Sequence, residues 1–174
     1  MKKSLIAAAL LAGSAIATMA NAADGTINFT GNITDAACTV TASTANQTVT
    51  MGTVASSALN AVGATAAPSR FNIVLTACPV TATSATVKFD GPADAANSSL
   101  LALTNTAGVA TGVGIGLYEK DAVTQIPVGG ASASQALSTT ADTTFEFFAK
   151  YVATNATVVA GSANAVSDFT VIYN

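Results

Sequence analysis

The stretch "RFNIVLTAC", residues 70–78, places Phe71, Ile73, Leu75 and Ala77 on one side of an extended chain, with Asn72 and Thr76 on the other. A period of two fits a strand covered on one face and argues against an amphipathic helix, whose apolar positions recur every three or four residues. Similar short runs rich in Thr, Val, Ile and Phe recur along the chain, separated by Gly, Ala, Ser, Asn and Pro. They predict strands at 25–42, 47–54, 69–79, 85–91, 99–104, 112–120, 125–129, 144–154 and 166–174. Alanine is abundant and favours helices, but its copies sit beside Thr, Ser and Gly rather than on a stripe of helical period. Regularly spaced short strands with turn signals between them predict an all-β sandwich or barrel. The Ala/Ser/Gly-rich segments 55–69 and 158–167 are then loops, and no internal repeat of fixed period is visible.

The opening 22 residues read as a cleaved secretory signal, with Lys2 and Lys3, an apolar stretch from Leu5 to about Ala17, and the small-residue site Ala20-Asn21-Ala22. That stretch is short for a membrane span, and no second one of membrane length follows it. Beyond it the basic residues are Arg70, Lys88, Lys120 and Lys150, against nine acidic ones. Such a chain is a poor partner for nucleic acid or an anionic membrane surface. In an exported protein, Cys38 and Cys78 are expected to form a disulfide. Closing that loop stabilises a fold by about 4 kcal/mol in the chain-entropy model. A metal-binding or reactive thiol pair is the alternative, disfavoured by the absence of histidine and by a spacing that matches no metal motif.

Candidate catalytic chemistry is sparse. Without histidine the chain lacks the commonest general base, zinc ligand and triad member. The carboxylates are dispersed, so a glycosidase-like pair is suggested by no motif. "TGVGIG", residues 111–116, superficially resembles a phosphate loop, but it lacks the full fingerprint and a following helix pattern; a glycine-rich strand is the reading. Five Asn-X-Ser/Thr triplets occur, as chance allows in a chain rich in Thr, and they carry no argument. With no tryptophan, an aromatic sugar-binding platform is also disfavoured. No catalytic residue, cofactor or metal is expected.

The two ends hold the remaining signals. "ADGTINFTGNITDAAC" puts Ile27, Phe29, Gly31 and Ile33 on one face of an extended arm ahead of Cys38. Read from the residues alone, this is equally an ordinary first strand or an arm that leaves its own domain. "SDFTVIYN", residues 167–174, puts Phe169, Val171 and Tyr173 on one face of a strand at the other end.

Together with "QTVTMGTV", "FNIVLTACP", "FFAKYVAT" and the ending "GSANAVSDFTVIYN", these features resemble the chaperone–usher pilus subunits of the type 1 fimbrial family. The similarity runs along essentially all of residues 23–174, including Tyr173 next to the last residue and Gly161 fourteenth from the end. The resemblance implies an incomplete immunoglobulin-like β-sandwich, residues 35–174, completed by a donor strand from another subunit, with residues 23–34 as the donor arm. Ile27, Phe29, Gly31 and Ile33 would form the donor strand; Gly161, Phe169, Val171 and Tyr173 would form the groove and its chaperone-recognition element. Implied partners are other pilin subunits, a periplasmic chaperone and an outer-membrane usher, and the implied location is a cell-surface fimbria reached through the periplasm. The chain would serve as a structural, non-enzymatic subunit of an adhesive fibre. A minor adaptor of the same fibre is the alternative, left open by an arm in which only Ala23 and Asp24 precede Gly25, and a secreted carbohydrate-binding sandwich is a more distant one.

Overall fold

The computed structural model describes residues 25–31, 33 and 37–174. It falls into two units, residues 1–33 and 34–174. The expected signal, residues 1–22, and arm residues 23, 24, 32 and 34 lie outside the described residues. Residues 25–31 and 33 form neither helix nor strand, and Ile27, Phe29 and Ile33 are 79 %, 91 % and 103 % exposed. Of the strand expected over 25–42, the described residues form only Thr39–Val40, because alternation makes a strand only where a neighbour pairs with it.

The described residues of the second unit form eight strands: β1 (Thr39–Val40), β2 (Thr65–Thr76), β3 (Ser84–Asp90), β4 (Val113–Glu119), β5 (Gln125–Ile126), β6 (Gln135–Ala136), β7 (Thr143–Ala153) and β8 (Asp168–Tyr173). One sheet has the order β1-β2-β7-β4-β5 and the other β6-β3-β8, with every strand pair antiparallel. Among the described residues, only single turns of helix, Ala42–Ala45 and Ser56–Leu59, interrupt this all-β architecture.

The core forms because inward positions of both sheets carry the apolar residues. Ile73 and Leu75 of β2, Val87 and Phe89 of β3, Ile115 and Leu117 of β4, and Phe145 and Phe147 of β7 are all buried. Phe71, Phe89 and Phe147 pack ring to ring across the two sheets, with centroids 5.0–6.0 Å apart in edge-on and tilted geometries favoured by the ring quadrupoles. The glycine-rich run is a strand, as its sequence suggested. A side chain at Gly114 would press on Leu100 and the Leu101 carbonyl, and one at Gly116 on the Tyr118 ring, so glycine keeps β4 close to its cover.

Segment 55–69 is only partly a loop. β2 begins at Thr65, and its pairing with β7 shifts register between Ala66 and Ser69. Ala67 sits there at φ 52°, followed by Pro68, which has no N–H to give to a ladder. The bulge lets a run of Ala and Pro continue a strand that composition would end.

Two links fix the margins of the sandwich. Cys38 and Cys78 form a disulfide across a sequence separation of 40, tying the start of β1 to the chain just after β2. Gly161 and Ser162 run beside residues 108–110: the Ser162 N–H donates to the Gly108 carbonyl and the Ala110 N–H to the Ser162 carbonyl, both at 2.9 Å. A Cβ on Gly161 would lie 2.4 Å from the Gly108 oxygen and 2.5 Å from the Ala110 nitrogen. The demand for glycine at 161 is therefore one of backbone proximity.

Two outcomes follow from these links. Non-reducing peptide mapping is expected to recover one Cys38–Cys78 cross-link, and replacing both cysteines with serine to lower stability by about 4 kcal/mol in denaturant titration. Gly161→Ala is expected to cost about 1–3 kcal/mol in the same titration, because backbone atoms rather than a movable side chain must give way. A variant as stable as the parent would show that the 108–110 segment is free to move aside.

Candidate functional site

A sheet margin exposes a row of main-chain groups unless something covers it. Several margins here are covered. The Leu101 N–H and carbonyl exchange hydrogen bonds with Ile115, at 2.8 and 3.0 Å, along the outer side of β4. On the far side of β3, Phe89 bonds to Gly129 and Gly130, and Val87 to the Ser132 main chain and hydroxyl. The β8 margin is different, since among the described residues β8 pairs with β3 alone and ends its sheet.

Register shows what that margin presents. Asn174 and Ser84 exchange N–H···O bonds in both directions, at 2.9 and 3.3 Å, and the pairing continues without a shift from Ala85↔Tyr173 to Asp90↔Asp168. In an antiparallel ladder the residues that bond to one neighbour alternate with those that face away from it. Asp168, Thr170 and Ile172 therefore point their main-chain groups at β3, while Phe169, Val171 and Tyr173 point theirs at the open side.

The same three residues face inward with their side chains. They stand opposite Phe89, Val87 and Ala85, which are 3 %, 0 % and 0 % exposed, yet Phe169, Val171 and Tyr173 are only half-buried. Alternation continues upstream through half-buried Ala163, Ala165 and Ser167. A face that is apolar, inward and half-wet along its whole length is the signature of a sheet one strand short.

Across the opening stands the free margin of the other sheet. Residues 38–54 run along β2: Thr41 N–H donates to the Val74 carbonyl, Gln47 Nε2 to the Asn72 carbonyl, and Ser69 Oγ to the Thr50 carbonyl. Side chains make much of this attachment, which is why 47–54 is not a ladder strand although its alternation predicts one. Val40, Met51 and Val54 pack on the core from this margin, partly buried. At one end the two margins meet, where the Tyr173 hydroxyl donates to the Cys38 carbonyl in a long bond of 3.4 Å. Burial pushes the Tyr173 phenol above its ordinary pKa, so it is a proton donor at physiological pH.

The sequence-predicted residues are thus distributed as follows. Phe169, Val171 and Tyr173 share the open face of β8, Gly161 anchors the segment that leads into it, and Cys38 and Cys78 hold the opposite margin at its Tyr173 end. Ile27, Phe29 and Ile33 are exposed, and a side chain at Gly31 would meet nothing within 4 Å. Sequence reasoning missed Met51 and Val54 as the facing wall; the signal in "QTVTMGTV" was the alternation of Val49 and Met51, which Gly52 at φ 70° interrupts before Val54. A hollow of about 560 Å³ beside Glu119, Gln135 and Glu146 is the other recess of note. There the Glu119 carboxylate already accepts the Ala133 N–H at 2.6 Å, and among the described residues no His/Cys/Asp/Glu group is arranged to hold a metal.

Comparison with known proteins agrees with this geometry. The family model described as "Fimbrial protein" matches residues 27–174. A probable major fimbrial subunit LpfA of Escherichia coli O157:H7 is 40 % identical, over 99 % of this chain and 97 % of its own length. The type-1 fimbrial protein subunit of Serratia marcescens is 37 % identical over 99 % of both chains. Among solved structures, the Burkholderia pseudomallei antigen and type I fimbria protein BPSL1626 is 40 % identical with a TM-score of 0.62, covering 86 % of this chain and 97 % of that one. The P pilus rod subunit PapA has a TM-score of 0.67 over 80 % of this chain and all of that one; at 22 % identity it speaks for the shared sandwich fold. With the family model spanning nearly all of the sandwich and these relatives matched end to end, the chain belongs to the fimbrial protein family and is a structural fimbrial subunit.

Proposed function

We propose that this subunit polymerises by donor-strand exchange: the arm of residues 23–34, exposed after removal of residues 1–22, fills the opening beside β8 in the next copy. The observation that carries the reading is the inward but half-buried face of Phe169, Val171 and Tyr173, whose main-chain groups point at open solvent. An added strand would satisfy those groups and dry that face at once, the recognition mode in which main-chain bonds give affinity and alternate side chains give register. Ile27, Phe29 and Ile33 supply the matching alternation, and Gly31 suits a point where the opening is too shallow for a side chain. Burying each of the three apolar side chains contributes roughly 1.5–3 kcal/mol before ordering costs.

An apolar opening of this kind must be covered before polymerisation, or subunits would aggregate through it. A periplasmic chaperone that lends a strand to β8, followed by transfer at an outer-membrane usher, meets that need and is the route we assign to the chain. The product is a cell-surface fibre for adhesion, with this chain as its repeating subunit.

Deleting residues 23–31 is expected to leave a subunit that folds on its chaperone yet builds no fibre as the sole pilin. Electron microscopy of the cell surface, with chaperone co-purification, reads both halves; abundant fibres from the deleted form would overturn the mechanism. Phe29→Asp is expected to reproduce the deletion, since a carboxylate cannot enter a dry face without large cost. Tyr173→Ala acts on the acceptor side: it is expected to cut chaperone capture and steady-state level, and normal capture would remove Tyr173 from the recognition element.

A further inference from the structure

Met51 is the only methionine beyond the expected signal, the others being Met1 and Met19. Its neighbour Thr50 accepts a hydrogen bond from Ser69, two residues before Phe71. Phe71 packs on Phe89, and Phe89 pairs with Phe169. The register thus sets Tyr173 with Cys38 at one end of the opening, places Phe71 level with Phe169 through Phe89, and puts Met51 beyond Phe71 on the facing wall. The Met51 side chain packs on the apolar core while remaining partly exposed. A flexible, polarizable thioether at that place can adapt to an incoming apolar side chain. It also places the one methionine sulfur beyond the expected signal on the wall that a donor strand must dry.

We propose that Met51 is an oxidation site that switches off the acceptor groove of subunits whose opening neither a chaperone nor a donor strand covers, an inference that rests on the donor-strand reading. A peroxide would transfer one oxygen atom to the thioether: the sulfur lone pair displaces water from the O–O bond, the sulfur is oxidised by two electrons and the peroxide is reduced to water. The sulfoxide is polar and chiral, and a strand laid over it would bury its oxygen without a partner. Once a donor strand is in place the sulfur is covered, so assembled fibres resist the same oxidant. Fibres would then be blocked at growth and spared in place.

The test treats sheared fibres and the unassembled full-length mature chain with hydrogen peroxide, and reads Met51 by peptide mass mapping. The untreated and treated chains are then titrated with a synthetic peptide of residues 23–36. Expected are at least about tenfold slower oxidation in fibres and at least about tenfold weaker peptide binding after oxidation. Met51→Leu is expected to bind the peptide and to keep binding it after peroxide. Equal oxidation rates in fibre and free chain, undiminished binding by the oxidised chain, or loss of binding by peroxide-treated Met51→Leu would each overturn the proposal. Failure of the unoxidised parent chain to bind the peptide would instead overturn the donor-strand reading, and this inference with it.

Discussion

The unpaired margin of β8 is the constraint on which the rest of this structure turns. Buried main-chain groups need partners, and the margins of β4 and β3 find them in Leu101 and in Gly129, Gly130 and Ser132. On β8 the N–H and carbonyl groups of Phe169, Val171 and Tyr173 face outward from a strand whose side chains belong to the core. A sheet cannot hold that arrangement at low cost in water, because apolar burial and main-chain bonding are both left half complete. Neighbouring features make the margin usable rather than merely unfinished. The Gly161–Ser162 clamp onto residues 108–110 fixes the approach to the strand, and the disulfide holds the facing wall where Tyr173 reaches Cys38.

Much of this was legible in the sequence. Alternation in "RFNIVLTAC", "TFEFFAKYV" and "DFTVIY" placed β2, β7 and β8, because a strand with one wet and one dry face imposes a period of two on its residues. Export and two cysteines pointed to the disulfide. The glycines of "GVGIG" could be read as a strand because no helix pattern follows them. What escaped was whatever depends on a partner distant in the chain. The bulge at Ala67-Pro68 is made by pairing with β7, and nothing in "ATAAPS" announces it. Gly161 is needed because Gly108 and Ala110 lie against it, a contact across some fifty residues that only the folded chain reveals.

The arm illustrates the same limit from the other side. "GTINFTGNI" has a strand's pattern, but residues 25–31 and 33 form no strand. Pattern specifies which face of a segment is apolar, while pairing decides whether the segment becomes a strand. In the donor-strand reading we propose, the arm carries the first property and acquires the second only on meeting another molecule.

The claim that β8 of one copy is completed by the arm of another is tested most directly by cross-linking in mixed-isotope fibres. Light and heavy subunits carrying a photo-reactive residue at position 29 would be assembled together, irradiated and mapped. The account predicts cross-linked peptides pairing light with heavy chain, with position 29 joined to residues 163–174 or to the facing wall at 38–54. Cross-links confined to chains of one isotope, or falling on the covered outer faces of β4 and β3, would contradict it.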